Sequence, residues 1–99
     1  MKAIQVNELV NKITNKEEVN VIDVREPYEL LDGKIPGAVN IPLGQIPYRL
    51  KDLDKNTPYY VVCLSGARSQ GAVQFLENHG YDVTNLTGGM MFYQGPTGV

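Results

Sequence analysis

The chain has one thiol, and the residues around it are of the kinds that make a thiol reactive. Cys63 follows the aromatic and β-branched run Tyr59-Tyr60-Val61-Val62 and opens the loop Leu64-Ser65-Gly66-Ala67-Arg68-Ser69. The run reads as a buried strand. Beyond the loop, Ala72, Val73, Phe75 and Leu76 fall at helical spacing, and Gly80 is placed to stop the helix. Strand, tight loop and helix start together aim backbone N–H groups and the positive end of a helix dipole at the loop. A free cysteine titrates near ~8.5, and such surroundings lower this to ~3.5–7.5. Cys63 is therefore expected to be a nucleophile. The bland alternative is a small buried hydrophobe, the commonest fate of a lone cysteine.

Each loop residue has an expected part. The N–H groups of Leu64, Ser65, Gly66, Ala67 and Arg68 would converge on the sulfur if the loop curls into a nest. Gly66 relaxes the φ restriction that such a curl meets. Ser65 and Ser69 add hydroxyl donors, and Ser69 is also a candidate helix cap. Arg68 has two readings that stay open: it binds an anionic partner, or it braces the loop against an acid such as Glu26.

Away from the loop the readings are mostly structural. Asp23 and Arg25 could border the site, but an ion pair that holds a loop is the stronger expectation. His79, the only histidine, precedes Gly80 in the last helical turn, where it serves as a C-terminal cap or cation. Met90 and Met91 read as core filler, since no Cys/His cluster completes a metal site. Neither a metal nor an organic cofactor is implied.

The elements that must position Cys63 follow from periodicity. Val6, Leu9, Val10 and Ile13 form the stripe of a helix lying on a core, after a possible short edge strand from Ala3 to Gln5. Val19 to Val24 is a nearly continuous apolar strand, typical of a parallel sheet covered on both faces. Pro27 starts a short helix that Gly33 ends. Pro36-Gly37 marks a turn, Ala38 to Ile41 a short strand, and Gln45 to Leu53 a helix. Tyr81 to Leu86 supplies a last strand, Gly88-Gly89 a turn, and Met90 to Tyr93 a terminal piece. The tail from Gly95 to Val99 is expected to fray. Strands alternating with helices imply an α/β fold with a mostly parallel sheet, and ligands of such sheets bind beyond the carboxyl ends of the strands. Cys63 stands at such an end.

Bulk properties narrow the partners. Nine Lys and Arg against 11 Asp and Glu give a net charge of −2, which argues against a nucleic-acid partner. No apolar run approaches the ~20 residues of a membrane span, and the N-terminus lacks the features of a signal peptide. One cysteine cannot form an internal disulfide. The expectation is a single cytoplasmic domain over residues 1–99, monomeric by default.

Four blocks, in order, resemble a known family. Val21-Ile22-Asp23-Val24-Arg25-Glu26 is similar to an Asp-x-Arg-Glu block. Gly33-Lys34-Ile35-Pro36-Gly37-Ala38, with Asn40-Ile41-Pro42, is similar to a Gly-His-Ile-Pro-Gly-Ala block, Lys34 replacing the His. Cys63 to Ser69 resembles the active loop, and Gly88-Gly89 the closing block, with Tyr93 where a Trp is common. The chain thus resembles a single-domain rhodanese of the thiosulfate sulfurtransferase-like family. The resemblance implies a three-layer α/β/α sandwich around a mostly parallel five-stranded sheet. It further implies that Cys63 takes a sulfane sulfur from a donor such as thiosulfate or a persulfide and passes it to cyanide or a thiol. On this view Leu64 to Arg68 bind the substrate, while Asp23, Arg25, Glu26 and Ser69 support the site.

Competing classes differ in loop length and turnover. Protein tyrosine phosphatases, and arsenate reductases of related fold, place five residues between their nucleophilic cysteine and its arginine. Only Leu64, Ser65, Gly66 and Ala67 lie between Cys63 and Arg68. The smaller cradle suits a sulfur atom better than a tetrahedral phosphate. A binding or sulfur-relay module without turnover is the other alternative, and the retained Cys63 counts against it.

Overall fold

In the computed structural model, which describes residues 1–98, the chain forms one five-stranded sheet, all pairs parallel. The strands are β1 (Lys2–Gln5), β2 (Val21–Asp23), β3 (Val39–Asn40), β4 (Tyr59–Val62) and β5 (Val83–Thr87), in the order β1-β5-β4-β2-β3. Helix α1 (Val6–Thr14) follows β1, α2 (Ala67–Asn78) follows β4, and the one-turn α3 (Gly89–Phe92) follows β5. The strand carrying Cys63 at its end is the central one, flanked by β5 and β2.

Alternation along the strands sorts the core into two layers, because successive side chains point to opposite faces. Ile22, Val61 and Val83 pack with Ala72, Val73 and Leu76 of α2 on one face. Val21, Val62 and Leu86 pack with Val6 and Leu9 of α1 on the other. Cys63 continues the alternation on the α2 face. The three-layer α/β/α expectation holds.

Two local expectations need correction, and a third is met in a tighter form. The segment from Pro27 to Asp32 is a 3₁₀ helix, with Pro27 in its first turn and Gly33 ending it at φ 114°. Gln45 to Leu53 is not one helix but two 3₁₀ pieces, Leu43–Tyr48 and Leu50–Asp52. Pro47, which lacks an N–H, lies inside the first, and Arg49 at φ −121° leaves helical geometry between them. The tail expected to fray is tied back, since the Gly98 N–H donates to the Lys34 carbonyl at 3.0 Å. Val99 of that tail lies outside the described residues.

Candidate active site

Residues Cys63 to Gly66 leave β4 and turn into α2 through one left-handed residue. Gly66 stands at the helix N-cap with φ 99°. A Cβ there would sit 3.3 Å from the Gly88 backbone nitrogen, so both conformation and space call for glycine. This turn directs the Gly66 N–H onto the Cys63 sulfur at 3.0 Å. Ser69, one turn into α2 and fully buried, brings its hydroxyl to 3.4 Å from the same sulfur.

The protons of this cluster can be counted. As a thiol, Cys63 donates to Ser69 Oγ, which in turn donates to the Gly66 carbonyl at 3.1 Å. Once the thiol ionises, the hydroxyl can rotate and donate to the sulfur. Burial alone would push the Cys63 thiol up. The Ser69 hydroxyl, with the N–H groups of Ser69, Gly66 and Ser65, outweighs burial and sets the net direction downward. The arrangement is thus suited to hold a thiolate inside the fold. Cys63 itself is 0% exposed, so a reactant reaches the sulfur only when the loop gives way.

The other loop residues separate. The Ala67 N–H faces Ser65 Oγ at 3.5 Å rather than the sulfur. Leu64 projects outward, 44% exposed. Ser69 is not a helix cap: its hydroxyl donates to the N-cap carbonyl instead of accepting an N–H. Arg68 reaches an acid, but not Glu26. Its two terminal nitrogens form a paired bond with Glu29, Nη1 to Oε1 at 2.7 Å and Nη2 to Oε2 at 2.8 Å. Glu29 is lowered to about 2, first by Arg68, and the Arg68 guanidinium is raised in turn. Glu26 acts one step back, where its N–H donates to Glu29 Oε1 and its carbonyl accepts the Glu29 N–H. Glu29 is the residue that sequence reasoning missed. Glu29 stands three residues after Glu26, one turn of a 3₁₀ helix, and that spacing alone does not choose between the two acids.

A second, deeper ion pair holds the neighbouring loop. Asp23 is 0% exposed and accepts from the Arg25 backbone N–H, Nε and Nη2 at 2.9–3.1 Å. Arg25 also donates to the carbonyls of Glu29 and Gly33. Asn40 ties the Asp23 and Arg25 carbonyls with one amide, 2.9 Å to each. The chain of contacts Asp23–Arg25–Glu29–Arg68 therefore joins the end of β2 to the start of α2.

The C-terminal segment closes the site from below. The Met90 and Met91 N–H groups donate to the Cys63 and Leu64 carbonyls, each at 2.9 Å. Gly89, at φ 60°, makes this possible, because a Cβ there would lie 2.5 Å from the Leu64 carbonyl oxygen. Met90 packs on the core as expected, whereas Met91 is 63% exposed and fills nothing. His79 is structural, its Nδ1 bonded to the Phe75 carbonyl and its ring stacked on Phe75. Among the described residues no cluster of His, Cys, Asp and Glu could hold a metal, and no helix is long and apolar enough to cross a membrane.

Known proteins are similar to this chain in sequence and fold. Residues 5–95 match the model of the rhodanese-like domain. A Bacillus subtilis protein with the provisional name sulfurtransferase YtwF is 41% identical, over 98% of this chain and 94% of its own. The thiosulfate sulfurtransferase GlpE of Shewanella oneidensis is 35% identical, over 89% of this chain and 87% of its own. The crystal structure of a rhodanese-like domain protein from Staphylococcus aureus superposes with a TM-score of 0.93 at 39% identity, covering 100% of this chain and 98% of that one. On this match, the chain belongs to the rhodanese-like domain family, and its curated relatives include single-domain sulfurtransferases.

Proposed function

We propose that the chain is a single-domain enzyme that moves a sulfane sulfur through a persulfide on Cys63. The observation that carries the reading is the thiol itself: buried, at the end of the central strand, with the Gly66 N–H at 3.0 Å and the Ser69 hydroxyl at 3.4 Å. In the first step the Cys63 thiolate attacks the outer sulfur of a donor such as thiosulfate. The donor S–S bond breaks and sulfite leaves with the electron pair. The negative charge then sits on the outer persulfide sulfur, beside the loop from Leu64 to Arg68 that is proposed to bind the substrate. The Gly66 and Ser65 N–H groups are the donors already turned to this side. In the second step cyanide or a thiolate attacks that outer sulfur, and Cys63 leaves as the thiolate it was.

Arg68 supports sulfur over phosphate. A phosphatase needs its arginine aimed into the cradle, and Arg68 is engaged by Glu29 outside it. The same pairing leaves no free cation in the loop for a dianionic donor, so thiosulfate should bind with a millimolar rather than micromolar Michaelis constant. The protein is taken to act as a cytoplasmic monomer.

Intact-protein mass spectrometry tests the proposal. After incubation with thiosulfate the protein should gain one sulfur atom, lose it to cyanide as thiocyanate, and gain none as Cys63→Ser. No gain, with turnover of an aryl phosphate or arsenate, would support the phosphatase-type reading instead. No reaction in either assay would leave a binding module.

A further inference from the structure

Beside the active loop lies a cavity of about 420 Å³. Leu64, the residue after Cys63, forms one wall, Met90 and Tyr93 another, and Tyr28, Glu29 and Asp32 of the 3₁₀ segment a third. Most of this lining is carbon. Its charges are unequal in freedom. Arg25, buried in the lining, is neutralised by Asp23, and Glu29 by Arg68. Asp32 is exposed and takes part in none of the ion pairs among the described residues. The cavity therefore presents an apolar surface with one uncompensated negative charge. Thiosulfate, small, carbon-free and doubly negative, is a poor match for that surface. A short carbon chain ending in an ammonium matches it in both respects.

We propose that this cavity is the acceptor subsite, that it takes a small aliphatic thiol bearing an amine, and that Asp32 determines this specificity by holding the ammonium. The inference rests on the persulfide reading above. Once the loop at Leu64 has given way, the acceptor thiolate attacks the outer sulfur of the Cys63 persulfide, a new S–S bond forms, and the Cys63–sulfur bond breaks to return the thiolate. No outside oxidant or reductant is needed. Leu64 and Met90 cover the carbon chain while Asp32 fixes its far end.

The test uses the purified protein loaded with sulfur from thiosulfate and three acceptors of similar size: cysteamine, 2-mercaptoethanol and mercaptoacetate. Their intrinsic nucleophilicities differ, so the readout is how Asp32→Asn changes kcat/KM for each. An exposed charge pair at about 4 Å in water predicts a three- to fivefold loss for cysteamine, carried by KM, at low salt. 2-Mercaptoethanol should change little and mercaptoacetate should improve. Asp32→Glu should keep the cysteamine preference, and added salt should shrink it. Equal changes for all three acceptors, or none, would overturn the subsite while leaving the persulfide reading intact. Failure of the wild type to load sulfur, seen before any acceptor is added, would overturn both.

Discussion

Replacing Ser69 by Ala removes one oxygen, and its effect on Cys63 can be worked out. The hydroxyl is fully buried and 3.4 Å from the sulfur. A hydrogen bond to a charged group contributes about 1.5–3 kcal/mol, and the neutral bond to the Gly66 carbonyl that the hydroxyl must give up contributes about 1 kcal/mol. The net preference for the thiolate is then about 0.5–2 kcal/mol. At about 1.4 kcal/mol per pH unit, Ser69→Ala should raise the Cys63 midpoint by about one pH unit. The alkylation rate at neutral pH should fall less than the thiolate population does. A more basic thiolate is a better nucleophile, with a Brønsted slope of about 0.4–0.5, so a tenfold loss of thiolate becomes about a three- to fourfold loss of rate. The assay is the pH dependence of iodoacetamide labelling, followed by intact mass, with circular dichroism to establish that the variant is folded. A folded variant whose midpoint stays within a few tenths of wild type would refute the account of the proton arrangement. The lowered thiol also links to stability. The unfolded chain holds its thiol proton to higher pH than the folded one. This contribution is therefore complete above the ordinary cysteine range and is lost as pH falls through the folded value.

Three further predictions concern the scaffold. Glu29 titrates at about 2 instead of an ordinary 4.5, so its ion pair stabilises the fold above the ordinary value and is lost as pH falls toward 2. Urea midpoints measured over that acid range should fall more steeply for wild type than for Glu29→Gln, and parallel curves would contradict the pairing. Gly89→Ala places a Cβ 2.5 Å from the Leu64 carbonyl oxygen at φ 60°, so it should cost at least about 2 kcal/mol and shift the Cys63 labelling midpoint. A wild-type melting temperature would show that the loop yields more easily than its geometry implies. Asp23→Ala leaves the buried Arg25 guanidinium without its carboxylate, for an expected loss of about 3–5 kcal/mol in chemical denaturation. A loss below about 1 kcal/mol would mean that the Glu29 and Gly33 carbonyls suffice to hold Arg25.

Much of the fold was legible because alternation and strand-end position are local. Val61, Val62 and Cys63 declare their faces by order alone, and Gly66 after the strand announces the turn. What stayed hidden depended on angular phase or on distant packing. Whether Glu26 or Glu29 meets Arg68 turns on three residues of 3₁₀ winding, which periodicity in the sequence does not fix. Gln45 to Leu53 carries a helical stripe of Ile46, Leu50 and Leu53, yet Pro47 and Arg49 break it, and the three side chains reach the core from two separate pieces. Ser69 looked like a cap because serines favour helix starts, but Gly66 already holds that position. The contact of Gly89 with the loop backbone joins positions more than twenty residues apart, and no spacing rule relates them. The cavity is likewise assembled from four segments and has no sequence signature.

The bonds from Met90 and Met91 to the Cys63 and Leu64 carbonyls bear on when the protein becomes reactive during its own synthesis. With those carbonyls tied behind, the Leu64 and Ser65 peptide groups are fixed, and the Ser65 N–H is one of those that favour the thiolate. A nascent chain that has made Cys63 but has not yet reached Met91 lacks this fixing and carries an ordinary thiol. Reactivity then waits until Gly89 to Met91 have folded against the loop. A version truncated after Gly88 should label with iodoacetamide as a free cysteine does, and a wild-type labelling profile would show that the loop organises itself alone.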